Sequence, residues 1–226
     1  MSGSKTWPAT AWRRLLESAL PVLDEAGAGT GWTLGGGTAL ALRLEHRISY
    51  DIDIFLEFST VLRAVSPNRN MAARAITSHW QEPGHYVKLE CEDGAIDFIV
   101  ASRQTDVPPW RYDFKDRAVL VEEPAEILAK KLRYRGSQLV PRDVFDLLVA
   151  ARFDPTSVAT AVQAAPRAAR LAIDRIERIS RRYRDAIGDE VNPTTRGAEL
   201  LEADPLHAAA VLREQLERVA SGERGD

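Results

Sequence analysis

Two aspartates separated by one residue, Asp51 and Asp53, lie within the apolar segment 50–58. Alternate side chains of a β-strand point to the same face, so the two carboxylates project together while Ile52 and Ile54 point into a core. At about 5 Å and an effective dielectric constant near 20, their repulsion costs roughly 3 kcal/mol. A shared proton, a basic partner or a divalent cation must offset this cost.

A third carboxylate, Asp97, lies in a second apolar segment, 94–100. If the two segments form neighbouring strands, Asp51, Asp53 and Asp97 converge into a cluster of hard oxygen ligands, which suits Mg²⁺ bound together with substrate phosphates. Two ions held in this way clamp the attacking and leaving oxygens of an in-line displacement. The alternatives are a solvated strand face for Asp51 and Asp53, and an edge position or an ion pair with Lys88 for Asp97.

Three consecutive glycines, residues 35–37, follow the apolar residues 32–34 and precede Thr38. A glycine-rich turn that leads into a helix lets main-chain N–H groups approach phosphate oxygens, and the threonine adds a hydroxyl group or caps the helix. The segment has neither the lysine of a Walker A loop nor the third spaced glycine of a dinucleotide-binding loop. A tight turn between a strand and a helix is the alternative explanation.

The surrounding pattern predicts the elements that position these residues. Helical spacing predicts helices over residues 11–26, 38–45 and 70–80, and apolar alternation predicts strands over residues 32–34, 50–58, 86–90, 95–100 and 117–121. After residue 122, prolines at helix starts and long Ala/Leu/Arg runs predict helices as far as residue 219. We therefore expect an α+β protein with an α/β domain at residues 1–122 and an all-α domain at residues 123–226.

The order of glycine turn, helix, paired aspartates and later aspartate resembles the DNA polymerase β-type nucleotidyltransferase superfamily. The segment LGGGTALALRLEHRISYDIDIF, residues 34–55, closely resembles the AbiEii family of nucleotidyltransferase toxins. The residues that carry this match are Gly36, Gly37, Thr38, Arg47, Ser49, Asp51 and Asp53, with Asp97 as the third carboxylate. A second block, residues 124–148, matches the family at Lys131, Arg142, Asp143 and Asp146. The likeness covers about residues 32–150, and it departs from the family at Gly35, where relatives often have a lysine or another side chain.

The resemblance implies a polymerase β-type mixed sheet in the N-terminal domain and transfer of a nucleoside monophosphate from an NTP to an acceptor hydroxyl. It implies that Asp51, Asp53 and Asp97 hold two Mg²⁺ ions, with Mn²⁺ as an alternative, and that Asp97 helps to deprotonate the acceptor. Lys131 would hold the triphosphate together with the glycine turn, and Arg47 would neutralise the carboxylates or bind phosphate. The residues expected to bind the nucleotide are Gly36, Gly37, Thr38, Arg47, Ser49, Lys131, Arg142, Asp143 and Asp146.

Several of these residues also have simpler explanations. Lys131 is otherwise a solvated lysine, and Arg142 and Asp146 are otherwise an ion pair one helical turn apart. Asp143 and Asp146 could instead orient Lys131 or contact the nucleotide sugar. Ser49 would secure the turn before the paired aspartates.

The composition is that of an ordinary globular chain. Its 226 residues are 45% hydrophobic and 28% charged, and the formal net charge of −3 gives no overall attraction for nucleic acid. The single cysteine, Cys91, excludes an internal disulfide framework, and the four histidines show no metal-ligand spacing that indicates zinc. No apolar run reaches the roughly 18 residues of a membrane span, and the N-terminus lacks a secretory signal pattern. We expect a soluble, cytoplasmic protein that makes no membrane contact.

The acceptor is predicted from a concentration of arginines between residues 130 and 184, several of which, including Arg170, Arg178 and Arg181, recur on one helical face. Such a stripe can follow an RNA backbone. The resemblance implies the same acceptor, the tRNA 3′ end, and an antitoxin partner in a type IV-like toxin–antitoxin pair. A solvated arginine-rich helix is the alternative explanation for the stripe. The rival functions are a small-molecule (antibiotic) nucleotidyltransferase and a catalytically degenerate scaffold that binds a partner protein.

Overall fold

A computed structural model describes residues 10–222 of the chain. The described residues cluster into two compact units. The first unit takes its residues from Met1–Leu40, Ser49–Ser102 and Pro108–Glu122, and the second from Ala41–Ile48, Arg103–Val107 and Glu123–Asp226. The division of the chain into domains at residue 122 stays a prediction, and the clustering assigns residues 41–48 and 103–107 to the second unit.

The chain forms a mixture of helices and strands. The helices are α1 (Trp12–Glu25), α2 (Gly36–Leu44), α3 (Ser59–Ala64), α4 (Met71–Ile76), α5 (Pro124–Arg135), α6 (Pro141–Phe153), α7 (Pro155–Ala164), α8 (Pro166–Glu190), α9 (Thr195–Leu201) and α10 (Pro205–Ser221). The strands are β1 (Trp32–Gly35), β2 (Arg47–Ile48), β3 (Ile52–Leu56), β4 (Trp80–Gln81), β5 (Tyr86–Cys91), β6 (Gly94–Val100), β7 (Trp110–Phe114), β8 (Arg117–Val121) and β9 (Asn192–Pro193).

The first unit is built on a mixed sheet with the strand order β4-β5-β6-β3-β1-β8-β7. The pairs β3–β6 and β1–β8 are parallel, and the remaining pairs of this sheet are antiparallel. In β3, the buried residues Ile52, Ile54 and Leu56 alternate with the half-buried Asp53 and Phe55. The alternation follows from the two-residue period of a strand, and it places Asp53 and Phe55 on the face opposite the three buried aliphatic residues.

Helix α1 covers the sheet of the first unit and contacts β3 and β6. Its apolar residues recur at helical spacing, and its buried positions include Leu16, Ala19 and Leu23. The helix ends before Gly27, which has a positive φ of 66° and closes the terminal turn.

The second unit is mainly helical. Helices α5, α6, α7, α8 and α10 each have a proline in the first turn, where the missing N–H and the fixed φ of proline suit a helix start. The long helix α8 packs against α6 and α10 through a stripe that includes Ala169, Ile173 and Ile176. Among residues 10–222, no helix is both long and apolar enough to cross a membrane.

The structure corrects several predicted elements. The helix predicted over residues 70–80 ends at Ile76, because Thr77 is extended and Trp80–Gln81 pairs with β5. Strand β7 was not predicted, although its Trp-Arg-Tyr-Asp-Phe sequence alternates in the manner of a strand. The predicted all-α half contains the short strand β9, which pairs with β2. The tail SGERGD, residues 221–226, is predicted from its sequence to be frayed, and its residues 223–226 lie outside the described residues.

Candidate active site

One face of the sheet in the first unit carries a row of charged residues. The register pairs Lys88 of β5 with Asp97 of β6, Asp97 with Asp53 of β3, and Asp53 with Gly35 of β1. Paired residues on neighbouring strands point to the same face and lie about 5 Å apart. The two carboxylates are therefore neighbours on this face, with a lysine on one side and a bare glycine on the other.

Asp51 immediately precedes β3 and is held by two hydrogen bonds. Its Oδ1 atom accepts from the main-chain N–H of Ala95 at 2.9 Å, and its main-chain carbonyl accepts from the hydroxyl of Thr38. Thr38 was predicted to cap the following helix, but α2 begins at Gly36 and the Thr38 hydroxyl bonds to Asp51 instead. The threonine thus fixes the aspartate segment, and a contact with the nucleotide stays a prediction.

The glycine turn meets the carboxylates directly. Gly36 has a positive φ of 62°, and a Cβ atom there would collide with the carboxylate of Asp53. A Cβ atom on Gly35 would collide with the ring of Phe55 and the carboxylate of Glu122. Both positions therefore require glycine, Gly36 for its backbone conformation and both for the close approach of side chains.

Two neighbouring aspartates, Asp51 and Asp53, affect the pKa of Asp97. Burial raises the pKa of Asp97 most strongly, and Asp53 and then Asp51 raise it further, so that the pKa reaches about 6 although Lys88 opposes the rise. The Lys88 ammonium lies 3.4 Å from Asp97 Oδ2. At this distance Lys88 offsets only part of the rise in the pKa of Asp97.

A divalent cation suits this donor set. Carboxylate oxygens on one face are the ligands that Mg²⁺ prefers, and their mutual repulsion is a reason for a cation to bind. The side chains do not form a finished cage, since within residues 10–222 no three His, Cys, Asp or Glu side chains meet the geometry for a metal ion. Mg²⁺ usually keeps several waters and takes further ligands from substrate phosphates, so a complete protein cage is not required.

Glu122 is an acidic residue on this face that the sequence analysis missed. It follows β8, its main-chain N–H donates to Leu34 at 2.9 Å, and its Oε1 atom accepts from the hydroxyl of Thr33 at 2.8 Å. It is 3% exposed and lies against Gly35. The signal in the sequence was the pair Glu122 and Glu123 after an apolar strand. Glutamates in such a position are ordinarily solvated.

The second unit holds a separate buried network centred on Asp146. Arg47 donates to both carboxylate oxygens of Asp146, at 2.7 and 3.1 Å, and His46 Nε2 donates at 2.8 Å. The Lys131 ammonium lies 3.0 Å from Asp146 and donates to Asp143 at 2.6 Å. Residues from β2, α5 and α6 therefore share one ion-pair network with almost no solvent.

The charges of this network stabilise one another. Burial opposes ionisation of Asp146, but Arg47 and Lys131 hold its pKa well below the usual value. Burial likewise favours neutral Lys131, but Asp146 and Asp143 raise the pKa of the lysine above its usual value. Burial lowers the pKa of His46, which indicates a neutral ring that donates from Nε2. The sequence analysis did not single out His46, which lies beside Arg47.

The network corrects two of the simpler explanations. The predicted ion pair between Arg142 and Asp146 is wrong, because Asp146 pairs with Arg47, while Arg142 is exposed and its main-chain N–H donates to Glu190 at 3.2 Å. Lys131 is not a solvated lysine, since its side chain is 11% exposed. The expectation that Arg47 neutralises the paired aspartates or binds phosphate stays a prediction.

Ser49 lies in the first unit, and its main-chain carbonyl accepts a hydrogen bond from the Thr10 hydroxyl at 2.6 Å. Within residues 10–222, the structure shows no hydrogen bond from the Ser49 hydroxyl to the turn. The structure therefore leaves both the expected nucleotide contact and the turn-securing role of this side chain as predictions.

Comparison with known proteins identifies the class of protein to which this sheet, its carboxylates and its glycine turn belong. The protein is a nucleotidyltransferase. The model of the family described as nucleotidyl transferase AbiEii toxin, type IV TA system, matches residues 18–218. The chain therefore belongs to the AbiEii family of nucleotidyltransferase toxins, which confirms the resemblance found in the sequence.

Solved structures from Helicobacter pylori are similar at low identity. A candidate nucleotidyltransferase has 16% identity and a TM-score of 0.46, over 94% of this chain and 96% of that chain. JHP933 has 15% identity and a TM-score of 0.44, over 95% of this chain and 96% of that chain. Likenesses at these TM-scores add nothing to the assignment. No curated protein matches the chain.

Proposed function

We propose that this protein transfers a nucleoside monophosphate from an NTP to an acceptor hydroxyl, in a polymerase β-type site formed by the first unit. The acceptor oxygen forms a bond to the α-phosphorus, the bond from that phosphorus to the leaving pyrophosphate breaks, and the hydroxyl proton passes to a base. The observation that carries the proposal is the register of Asp53 and Asp97 on neighbouring parallel strands, beside a glycine turn that packs on Asp53.

Asp51, Asp53 and Asp97 are the proposed ligands of two Mg²⁺ ions, which Mn²⁺ can replace and whose charge would neutralise phosphate oxygens. Asp97 is also the proposed base, because its carboxylate lies on the strand beside Asp53, where an acceptor hydroxyl could reach it. The main-chain N–H groups of Gly36 and Gly37 are the proposed contacts for the phosphates. Positioning and charge neutralisation account for most of the catalysis in such transfers.

The nucleotide contacts expected of Arg47, Lys131, Arg142, Asp143 and Asp146 remain predictions. The contacts of the second unit support the view that Asp143 and Asp146 orient Lys131, since Asp143 accepts a hydrogen bond from its ammonium group and Asp146 forms an ion pair with it. A buried lysine held by two carboxylates loses less conformational freedom when it binds a ligand than a solvated lysine does.

The proposed acceptor is an RNA, with the tRNA 3′ end as the first candidate and an antitoxin protein as the expected partner of the toxin. Helix α8 supports this proposal with exposed arginines opposite its buried stripe, named here the α8 arginine face: Arg167, Arg170, Arg178, Arg181, Arg182 and Arg184. Guanidinium groups spaced along a helix suit contacts with successive phosphates. Retention of three mutually repelling aspartates argues against a degenerate scaffold.

The test is incorporation of labelled NTP into a mixture of tRNA and small-molecule acceptors. Asp53→Asn should reduce incorporation at least about a hundredfold while the fold is kept, because the variant removes a proposed metal ligand but little volume. The matched control is Asp113→Asn, which changes an exposed aspartate of the same sheet that pairs with Arg111. Equal incorporation by the wild type and Asp53→Asn would refute the site, and label only in small molecules would refute the RNA acceptor.

A further inference from the structure

Lys88 is paired with Asp97, one of the proposed metal ligands of the first unit. It lies on β5 in register with Asp97, and its ammonium group is 3.4 Å from Asp97 Oδ2. Its side chain is 31% exposed, so the ammonium group has access to solvent. The resemblance to known nucleotidyltransferases assigns no role to this position.

The geometry of the pair indicates a loose contact. A distance of 3.4 Å is longer than the 2.7–2.9 Å of a strong charge-assisted hydrogen bond. The four-carbon stem of lysine is flexible, and its ammonium group acts as a point charge without the fixed fork of arginine. Lys88 can therefore withdraw from Asp97 without any movement of the strand.

Lys88 opposes the binding of a cation to Asp97 in two ways. The lysine occupies space beside Oδ2, one of the two oxygens that Asp97 offers, and its positive charge repels a divalent ion. In the metal-free protein, the same positive charge offsets the repulsion between Asp97 and Asp53, which are paired in register. The lysine therefore stabilises the empty carboxylate cluster and weakens its affinity for free metal.

We propose that Lys88 is an internal counter-cation of Asp97, and that its charge sets the affinity of the neighbouring carboxylates for divalent cations. This inference rests on the proposed function, since it takes these carboxylates as cation ligands. Asp97 would hold a divalent ion only after the Lys88 ammonium moves aside, so the lysine would weaken the binding of free metal.

The first test measures Mn²⁺ binding by calorimetry without nucleotide. Lys88→Gln should lower the dissociation constant for Mn²⁺ at least about tenfold, because it removes the competing charge. Lys88→Arg keeps the charge and should stay within about threefold of the wild type. Lys115→Gln is the matched control, since Lys115 is an exposed lysine of the same unit that pairs with Glu17, and it should leave binding unchanged.

The second test uses metal-free protein with a chelator. Lys88→Gln should lower the melting temperature of the wild type by a few degrees, but it should have no such effect in an Asp97→Asn background. An equal loss in both backgrounds would show a role unrelated to Asp97 and would overturn the inference.

The outcomes separate this inference from the proposed function. Equal dissociation constants for the wild type and Lys88→Gln would overturn the role of Lys88 and leave the metal site intact. Absence of Mn²⁺ binding in the wild type and in every variant would contradict the metal assignment itself, together with the affinity role that rests on it.

Discussion

Replacement of Asp97 by asparagine should make the metal-free protein more stable and the enzyme inactive. Burial and the neighbouring aspartates raise the pKa of Asp97 from 3.8 to about 6, so ionised Asp97 is unfavourable in the folded state. A shift of about 2 units corresponds to roughly 3 kcal/mol, at about 1.4 kcal/mol per unit. The side chain keeps some solvent exposure, which reduces the expected gain to about 2 kcal/mol. For a chain of this size, that gain raises the melting temperature by roughly 4–8 °C.

The pH dependence of this effect follows from proton linkage. Folded Asp97 keeps its proton to a higher pH than unfolded Asp97, so between about pH 4 and pH 6 the folded state binds more protons. The stability of the wild type should therefore fall as the pH rises through this window and level off above it. Asp97→Asn lacks this titration, so its advantage should be small near pH 4 and complete by pH 7.5.

The assay is thermal unfolding of both proteins in chelator from pH 4 to pH 8, together with incorporation of labelled NTP at pH 7.5. Added Mg²⁺ or Mn²⁺ should raise the melting temperature of the wild type more than that of Asp97→Asn, because only the wild type retains all three carboxylates. A variant that melts below the wild type at pH 7.5, or a difference that does not change with pH, would refute the argument.

Three further changes test other parts of the structure. Gly36→Ala should cost at least about 1–2 kcal/mol of unfolding free energy in urea, because of its positive φ and the collision with Asp53, whereas Gly188→Ala in an open helical position should be neutral or stabilising. Asp146→Asn should cost about 3–5 kcal/mol in the same measurement, because it removes the carboxylate charge that buried Arg47 and Lys131 share, although Lys131 keeps its pair with Asp143, whereas the exposed Asp113→Asn should change little. Conversion of three arginines of the α8 arginine face to glutamine should lower the slope of log affinity against log salt by about 2 in a tRNA-binding titration. An unchanged slope would remove this face from the RNA contact.

The sequence was sufficient to predict which way a side chain points where that direction depends only on the local pattern. The two-residue period of a strand predicted that Asp51 and Asp53 point away from the buried isoleucines. It also predicted that Asp97 points away from its neighbours Ile96 and Phe98. These residues needed only one long-range fact, the adjacency of β3 and β6, which the register shows. The family resemblance supplied the reason to expect that adjacency.

The sequence was not sufficient where a partner is distant or an element is very short. Arg142 lies four residues before Asp146 and was a reasonable partner, but Arg47, 99 residues away, binds the carboxylate with two hydrogen bonds. A bidentate ion pair in a buried position has a stronger interaction energy than an exposed ion pair on one helix, which contributes only a few tenths of a kcal/mol. Strands β2 and β9 have two residues each, too few to show a period.

The contacts of Gly35 and Gly36 change what the glycine turn indicates. A glycine-rich segment before a helix is commonly taken as evidence of phosphate binding, yet these two glycines are required by the Asp53, Phe55 and Glu122 side chains that pack against them. The tight-turn explanation and the phosphate explanation therefore do not compete. The absence of Cβ atoms lets Asp53 approach the chain at this turn. The same packing constraint therefore brings the turn proposed to bind phosphate and a carboxylate proposed to bind a cation to one place, as a metal-bound triphosphate would require.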